Sequence, residues 1–451
     1  MKKILKNVAM IPDYIIFLVV LPALVTGLLL AIPWALNQRK IWNSACKGNP
    51  KALILRRFTL EKVMSRGFAP LLPLQNPSLT WVGILDPANS RRTDVQIAAD
   101  FYLMTWKSPK VVRFLEKIGF AANSVLLREI IAVFRTVRYC VQEKIGVLRI
   151  YKYDYPALQA FFVSALIQIP FIVDVMANFE LIRRLTGKSY YLRKLNRLPL
   201  VRMFARSATN WLLGLPLRYA NRVLGRNKNN YEHAFALGAP VDRLSLLRIS
   251  NFNVLYNSFK PEKPPAKPVE YPYLLFVGRL VDIKYPEDVL KAFEVVAPHI
   301  PNYRLVIIGD GALRERVRQK KEQSKYKDRI ILMGACPSDI VYHWTAHAKV
   351  ALCPYSGSTL VEAMLCCIPV IAYDIEWHAE IVIDDYTGYL VPFANVEALA
   401  DKIIYVVRNR EEAKLVGKRG RELAQTAFAK DKIVEKESMI YRQILQTRGF
   451  D

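Results

Sequence analysis

Short apolar runs alternate with amphipathic stretches along the C-terminal part of the chain. Between two of these runs, Val289, Phe293 and Val296 have the i, i+4, i+7 spacing of one helical face. Continuous apolar strands that alternate with helices predict a parallel sheet covered on both faces, whose ligands bind at the carboxyl ends of the strands. The predicted strands are residues 273–279, 303–310, 329–335, 349–355, 369–374 and 388–392.

The N-terminal half shows the same pattern with fewer clear strands. Ser78–Asp86, Ile145–Asp154 and Ile169–Asn178 are predicted strands that end in polar residues. Lys260–Tyr273 contains five prolines among lysines, a composition that predicts a semi-extended linker. The fold class is therefore α/β, with two Rossmann-like, doubly wound domains that face a cleft. The predicted divisions are an N-terminal anchor at 1–40, an N-terminal domain at 41–259, a linker at 260–270 and a C-terminal domain at 271–451.

Tyr14–Trp34 is an uncharged apolar segment of about 20 residues, long enough to cross a bilayer as a helix. More basic residues follow the segment than precede it, and this bias predicts that the rest of the chain lies on the cytoplasmic side. We therefore expect a membrane protein with an N-terminal anchor. Pro22 and Pro33 leave a re-entrant anchor open, and a buried core helix is a further alternative.

The chain is basic, with a net charge of +26, and the charge is concentrated in one stretch. Leu181–Asn230 holds twelve Lys or Arg residues and no Asp or Glu, with apolar and aromatic residues between the bases. This pattern predicts amphipathic helices on an anionic membrane surface, with Trp211 and Tyr219 at the depth of the headgroups. A solvated basic face is the alternative. We expect no nucleic-acid partner, because no recognition motif accompanies the charge.

The six cysteines form no CxxC pair and have no zinc-finger spacing with a histidine. Four of them lie inside apolar runs, where a free cysteine behaves as a small hydrophobic residue. We therefore expect reduced, buried thiols.

Three motifs follow one another in the C-terminal part. They are FVGRLVDIK (Phe276–Lys284), VIIGDGALRERV (Val306–Val317) and SGSTLVEAMLCCIPVIAYD (Ser356–Asp374). In their order and spacing they resemble the motifs of family-4-type GT-B glycosyltransferases, over about Tyr271–Ile440. The resemblance implies the GT-B fold, a nucleotide-sugar donor, retention of anomeric configuration and no metal ion. In agreement, no Asp-x-Asp pair follows a strand as a metal–nucleotide site requires.

The resemblance also implies the residues of the donor site. Arg279 and Lys284 match the pair that holds the donor diphosphate, and fixed cations lower the barrier as charge grows on this leaving group. Glu362 matches the carboxylate that accepts hydrogen bonds from the ribose hydroxyls. The remaining donor-binding residues are Gly278, Gly309 and Gly311 in tight turns, and Ser358, Thr359 and Leu360 with backbone N–H groups for phosphate.

Two positions depart from the family pattern. Pro354 stands where a Glu near the donor sugar is usual, and Met176 and Ala177 stand where the N-terminal domain usually has a His. The segment YDIEWHAEIV offers substitutes, because Glu376 and His378 follow a strand whose carboxyl end faces the cleft. We take both as candidate catalytic residues, with a structural His as the alternative. Polar residues after N-terminal strands are further candidates: Asp154, Asn178 and Ser90–Asp94.

The sequence therefore predicts an enzyme that moves a hexosyl or N-acetylhexosaminyl group from a nucleoside diphosphate to a membrane-bound, lipid-linked acceptor. Such a reaction belongs to glycan or polysaccharide biosynthesis and needs no cofactor besides the donor substrate. Two alternatives remain: a transferase with a soluble acceptor, and a catalytically weak GT-B scaffold that binds a partner.

Overall fold

The computed structural model describes residues 32–45, 51–58, 81–85, 95–98, 101–105, 121–151, 153, 155–187, 210–248 and 259–447. Two parallel sheets and the helices packed on them make up these residues. The fold class predicted from the sequence, two doubly wound α/β domains, is confirmed.

The N-terminal sheet has the strand order β3-β4-β2-β1-β5-β6-β7-β8, and every neighbouring pair is parallel except β3 and β4. Its central strands β5 and β6 are buried along their whole length, as expected for strands covered on both faces. The strands are β1 (Lys51–Phe58), β2 (Trp81–Leu85), β3 (Val95–Ala98), β4 (Phe101–Thr105), β5 (Ile145–Ile150), β6 (Phe171–Val175), β7 (Arg222–Gly225) and β8 (Leu244–Leu246).

The C-terminal sheet has the order β11-β10-β9-β12-β13-β14 and is parallel throughout. All six strands lie inside the apolar runs from which they were predicted. They are β9 (Tyr273–Val277), β10 (Arg304–Ile308), β11 (Ile330–Gly334), β12 (Val350–Cys353), β13 (Val370–Tyr373) and β14 (Tyr389–Val391).

Helices pack on both sheets, and most of them connect one strand to the next. In the N-terminal part they are α1 (Ile32–Ala45), α2 (Ala121–Gln142), α3 (Tyr155–Ile167), α4 (Phe179–Thr186) and α5 (Lys228–Ala236), with a further helix at 210–219. In the C-terminal part they are α6 (Pro286–Val296), α7 (Arg314–Gln323), α8 (Ser338–His347), α9 (Ser358–Leu365), α10 (Val396–Arg408), α11 (Arg410–Ala427) and α12 (Lys430–Gln446).

The predicted anchor falls mostly on residues 14–31, which lie outside the described residues. Its last residues begin α1, which packs on the N-terminal domain. The Trp42 side chain is buried there and donates a hydrogen bond from Nε1 to the Ile145 carbonyl oxygen, 2.8 Å away. Among the described residues, no helix is both long enough and apolar enough to cross a bilayer.

The basic stretch Leu181–Asn230 is not a continuous set of membrane-surface helices, and this part of the prediction is corrected. Residues 222–225 form β7, a strand between β6 and β8 in the interior of the sheet. Val223 and Leu224 are fully buried, and their apolar side chains explain why this segment enters the core despite the flanking bases. The helix at 210–219 keeps Trp211 and Tyr219 57% and 60% exposed.

The last helix, α12, returns to the N-terminal sheet, although the sequence placed it with the C-terminal domain. Its Glu437 carboxylate lies 3.0 Å from Arg149 Nη2, and the same guanidinium lies 3.0 Å from Asp174. Arg226 completes the group at 2.8 Å from Asp174. Arg149 and Asp174 are fully buried, Glu437 is 4% exposed and the Arg226 side chain is 8% exposed, so two largely buried cations face two buried carboxylates. We call these four residues the buried charge cluster.

We expect Glu437→Gln to destabilise the protein strongly, because the variant keeps the shape but leaves the buried charge cluster with an uncompensated cation. Breaking a buried ion pair in this way costs roughly 3–5 kcal/mol. Urea denaturation followed by circular dichroism measures the loss. Glu435→Gln, on the exposed face of the same helix, is the matched control and should change stability little. Equal stability of the two variants would contradict a stabilising role for the cluster.

Candidate functional site

The candidate site lies where the C-terminal sheet changes direction. Strand β9 is central, with β10 on one side and β12 on the other, so the loops that leave β9 and β12 diverge. In an open parallel sheet a crevice forms at such a switch point, at the carboxyl ends of the strands. The loop after β9 carries Arg279 and Lys284, and the loop after β12 leads into α9 with Glu362.

Lys284 lies at the end of a short 3₁₀ turn, Asp282–Lys284, and its side chain reaches the loop after β12. Its Nζ donates a hydrogen bond to the Tyr355 carbonyl oxygen at 2.9 Å and lies 5.0 Å from the centre of the Tyr355 ring. Burial, followed by repulsion from Arg279, lowers the pKa of Lys284 to about 8. The two predicted cations are therefore neighbours, and Arg279 is exposed at the mouth of the crevice.

Glycines let the loops after β9 and β10 approach each other closely. A Cβ atom on Gly309 would lie 1.8 Å from the Gly278 carbonyl oxygen, and a Cβ on Gly311 would lie 2.4 Å from that of Leu280. Both residues have positive φ, 149° and 159°, which side chains rarely tolerate. The structure thus gives Gly309 and Gly311 a packing reason, because their close approach to the carbonyl groups of Gly278 and Leu280 fixes the loop that carries Arg279.

Helix α9 begins at Ser358, so Ser358, Thr359 and Leu360 form its first turn. The Leu360 N–H donates to the Gly357 carbonyl oxygen at 3.2 Å, whereas the first N–H groups of a helix in general have no carbonyl partner from a preceding turn. The Glu362 side chain hydrogen-bonds with Ser358, and burial raises the pKa of its carboxyl group to about 7. Glu362 and Thr359 line a small groove together with Leu275, Val277 and Cys353. The groove has a titratable carboxyl group at one wall and a helix N-terminus beside it.

Glu376 follows β13. It lies near Lys284, and both side chains contact Tyr355. The Tyr355 hydroxyl donates to Glu376 Oε2 at 2.5 Å, and Glu376 and Lys284 attract each other electrostatically. Burial raises the pKa of Glu376, and these partners oppose the rise. The backbone of Glu376 has φ +52°, a left-handed conformation that costs a non-glycine residue of order 1–3 kcal/mol and is concentrated at functional sites.

His378 is placed differently from Glu376. Its side chain is fully buried, its Nδ1 lies 2.8 Å from the Tyr373 carbonyl oxygen, and its Nε2 accepts a hydrogen bond from the Ser356 backbone N–H at 3.1 Å. Burial lowers its pKa, which favours the neutral ring that this pattern requires. The geometry therefore supports the structural alternative, in which His378 positions the turn after β12.

The sequence analysis did not select Tyr355, whose hydroxyl donates to the candidate carboxylate Glu376, or Asn227, which lies near the same carboxylate. Tyr355 lies two residues after the end of β12, a position that could have identified it. Asn227 comes from the N-terminal domain, and nothing in the sequence pairs it with Glu376. Asn178 caps α4 by accepting a hydrogen bond from Leu181 N. The candidates Asp154 and Ser90–Asp94 lie outside the described residues.

No group of three His, Cys, Asp or Glu side chains within the described ranges is arranged to hold a metal ion. The described cysteines Cys140, Cys336, Cys353, Cys366 and Cys367 are free thiols. Burial raises the pKa of Cys353 to about 12, so this thiol, on the wall of the groove, stays protonated.

Residues 258–423, which include all the site residues on β9, β12 and β13, match the family model described as "Glycosyl transferases group 1". We call this matched stretch the group 1 domain. The match covers the C-terminal sheet and leaves the N-terminal sheet outside it.

Comparisons of structure extend the likeness beyond the group 1 domain. Sucrose-phosphate synthase from Thermosynechococcus elongatus superimposes with a TM-score of 0.68 over 88% of this chain and 100% of that one, at 17% identity. HepE from Anabaena, solved in complex with UDP and glucose, superimposes with a TM-score of 0.62 over 87% and 100%, at 14% identity. At such identities the likeness establishes the fold, so the predicted GT-B architecture is confirmed.

Among curated proteins, this chain is similar to poly(ribitol-phosphate) alpha-N-acetylglucosaminyltransferase from Staphylococcus aureus. The two are 24% identical over 198 residues, which is 43% of this chain and 38% of that protein. The chain spans less than half the length of the first curated relatives it matches, between 22% and 46%.

We expect nucleoside diphosphate affinity to rise with pH below neutrality, because a carboxylate accepts two ribose hydroxyls better than a carboxylic acid does. With a pKa of about 7 for Glu362, ionisation alone increases affinity about eightfold between pH 6 and pH 7.5. Calorimetry with UDP and GDP measures this dependence. Glu362→Gln is the control that retains the titration of the nucleotide and of Lys284, and its pH dependence should be weaker. Identical profiles would remove Glu362 from the nucleotide site.

Proposed function

We propose that this protein is a retaining glycosyltransferase that moves a hexosyl or N-acetylhexosaminyl group from a nucleoside diphosphate to a membrane-bound, lipid-linked acceptor in polysaccharide biosynthesis. The observation that carries the proposal is the grouping of Arg279, Lys284 and Glu376 at the switch point of a group 1 domain, next to the groove lined by Glu362. The group 1 match and the GT-B fold support the reaction class. The printed title of the HepE structure, with UDP and glucose, supports the donor class.

Each part of the donor has a chemically suited partner at this switch point. The ribose hydroxyls donate to Glu362, and the diphosphate lies against the first turn of α9 and the cations Arg279 and Lys284. As the bond from the anomeric carbon to the diphosphate breaks, negative charge grows on the leaving group. The half-buried Lys284 ammonium can stabilise this negative charge. Its hydrogen bond to the Tyr355 carbonyl oxygen holds it in place, so the ammonium group needs little rearrangement during the reaction.

Glu376 is our candidate for the sugar side of the reaction. The residue at the usual family position is the buried Pro354, which has no carboxylate. Glu376 supplies one from the next loop and lies near Lys284, where the diphosphate meets the sugar. In this position its carboxylate accepts hydrogen bonds from donor-sugar hydroxyls and opposes positive charge that develops at the anomeric carbon.

The membrane acceptor is proposed from the surface of the N-terminal domain. Trp211 and Tyr219 are exposed on one helix at an eight-residue separation, and Tyr219 packs against Phe161 of α3. Helix α1, which begins in the last residues of the apolar segment, presents exposed Leu36 and packs against the same α3. Exposed aromatic residues with bases nearby suit the interface of an anionic membrane. We propose that the catalytic domains lie on the cytoplasmic side.

The decisive test of the reaction is incubation with a panel of nucleotide sugars and a membrane lipid extract, read by mass spectrometry. We expect a glycosylated product and a released nucleoside diphosphate. Arg279→Ala and Lys284→Met should lower kcat more than donor affinity, by roughly 2–4 kcal/mol of transition-state stabilisation each. The methionine keeps the alkyl stem over Tyr355, and Arg318→Ala, on the exposed face of α7, is the control. Donor binding without transfer would favour the scaffold alternative.

A second test separates the two proposed membrane attachments. Deletion of residues 1–31 removes most of the apolar segment and spares α1, whose Trp42 is part of the core. We expect the full-length chain to stay in the membrane pellet at high salt. The truncated chain should bind anionic liposomes at low salt and leave them as salt rises, because charge attraction is screened over about 8–10 Å. A truncated chain that ignores liposomes at every salt concentration would contradict the basic-surface proposal.

A further inference from the structure

Among the described residues, ion pairs join the two domains at two places that differ in burial. In the buried charge cluster, Arg149 and Glu437 lie in the core, and their separation would leave uncompensated charges there. The second pair joins Glu380, in the loop after β13, to Arg248, which follows β8, at 3.3 Å between Oε2 and Nη2. These side chains are 14% and 21% exposed, so water can solvate each partner when the pair separates. The second place is therefore the one that can open.

Glu380 also binds the N-terminal domain through a backbone group. Its Oε1 accepts a hydrogen bond from the Lys228 N–H at 2.6 Å. Lys228 is the first residue of α5, so its N–H has no carbonyl partner inside its own helix. One carboxylate thus binds a helix N-terminus and a guanidinium of the same domain, and a negative charge is favourable at both. We call Glu380, Arg248 and the Lys228 N–H the interdomain clasp.

The interdomain clasp lies beside a point where the chain crosses between the domains. The Arg248 guanidinium lies over the ring of Phe428, 5.5 Å from its centre, where α11 ends and the chain turns toward α12. The Arg248 carbonyl oxygen accepts a hydrogen bond at 3.4 Å from Arg226, a member of the buried charge cluster. Arg248 Nη1 is buried without a hydrogen-bond partner among the described residues, which makes the closed clasp less stable. The clasp is therefore next to the permanent attachment of the domains, but its own closed form is only marginally favoured.

The turn that carries Glu380 also contacts the donor-site loop. It is a short 3₁₀ turn that begins at His378, whose buried ring accepts a hydrogen bond from the Ser356 N–H at 3.1 Å. Ser356 lies between Tyr355, which holds Lys284, and the first turn of α9. Across the cleft, α4 of the N-terminal domain packs against the 3₁₀ turn that ends at Lys284. Movement of the Glu380 turn would therefore move a group that fixes the donor-site loop.

We propose that the interdomain clasp is a reversible latch that closes the cleft over the donor site and holds the loop after β12 in its binding arrangement. The cleft opens by rotation about the attachment at α12, where the buried charge cluster stays paired. The link to nucleotide binding rests on the proposed function, because it assigns the first turn of α9 to the diphosphate. A nucleotide that binds the closed form more tightly must then strengthen the latch, by reciprocity.

Hydrogen exchange at the Lys228 N–H measures the latch, because the Glu380 carboxylate is its acceptor. Mass spectrometry with electron-transfer fragmentation resolves this single amide in the full chain. Arg248→Met and Glu380→Gln both remove the ion pair, yet both retain a side-chain oxygen that can accept from Lys228. We expect roughly tenfold faster exchange in each, between the effects of an exposed ion pair and of a hydrogen bond to a charged group. Added salt should also speed exchange in the wild type, but not in Arg248→Met.

Three controls separate the latch from a general loss of structure. The Asn230 N–H, which donates to Asn227 Oδ1 at 2.7 Å within the N-terminal domain, should keep its wild-type exchange rate. Arg243→Met removes an exposed ion pair of the same domain and should leave Lys228 unchanged. Arg248→Lys restores the charge without the guanidinium geometry and should give an intermediate rate. Wild-type exchange at Lys228 in a folded Arg248→Met protein would overturn the latch.

A second experiment adds UDP or GDP and tests the link to the donor site. At saturating nucleotide, exchange at Lys228 should slow in the wild type. The slowing factor should equal the factor by which Arg248→Met weakens nucleotide binding in calorimetry, because both depend on the same closed fraction. Unchanged exchange on binding would overturn the link between the latch and the donor-site loop. If neither nucleotide bound while salt and the variants still changed exchange, the donor-site proposal would fail and the latch would stand.

Discussion

The balance of charge between two buried arginines and two buried carboxylates is the constraint on which the cleft depends. Glu437 reaches this cluster from α12, the last helix, so the chain crosses from the C-terminal domain back to the N-terminal sheet at Arg149. Because each buried charge needs an opposite partner, the helix is tied to one position. The pairing of Arg222 with Gln443 and the packing of Leu445 on the N-terminal core reinforce this attachment.

Because α12 is attached in this way, the loops at the carboxyl ends of the two sheets contact each other in one arrangement. The turn after β7 reaches the loop after β13, and there Glu380 accepts a hydrogen bond from the Lys228 backbone N–H and pairs with Arg248. The donor-side cations come from the loop after β9, which is fixed by the close approach of Gly309 to Gly278. The candidate site is thus assembled from loops that are each held by a different short-range contact.

The sequence was most informative where local pattern determines structure. The apolar runs of the C-terminal domain predicted all six strands, because strands buried on both faces must be continuously apolar. The N-terminal sheet was harder. Strand β7 is four residues long and flanked by arginines, so its apolar residues were assigned to a membrane surface. The contacts of α12 could not be predicted, because Arg149 and Glu437 are 288 residues apart and no local pattern pairs them.

The residues of the candidate site also fall into two groups, those that a local sequence motif identifies and those that only tertiary contacts identify. Arg279, Lys284 and Glu362 lie in motifs that a sequence displays directly, whereas the partners of Glu376 are set by tertiary packing. His378 looked as promising as Glu376 in the sequence, and only its full burial against the Tyr373 carbonyl distinguishes the two. Tyr355, which connects Lys284 to Glu376, carried no signal beyond its position at the end of β12.

The central claim is that the switch point of the C-terminal sheet binds a nucleoside diphosphate. A crystal structure of the protein with UDP or GDP measures this most directly. The account predicts the ribose hydroxyls on the Glu362 carboxylate, and the diphosphate within hydrogen-bond distance of Arg279 and Lys284 at the first turn of α9. A nucleotide bound elsewhere, with Glu362 still hydrogen-bonded to Ser358, would contradict it.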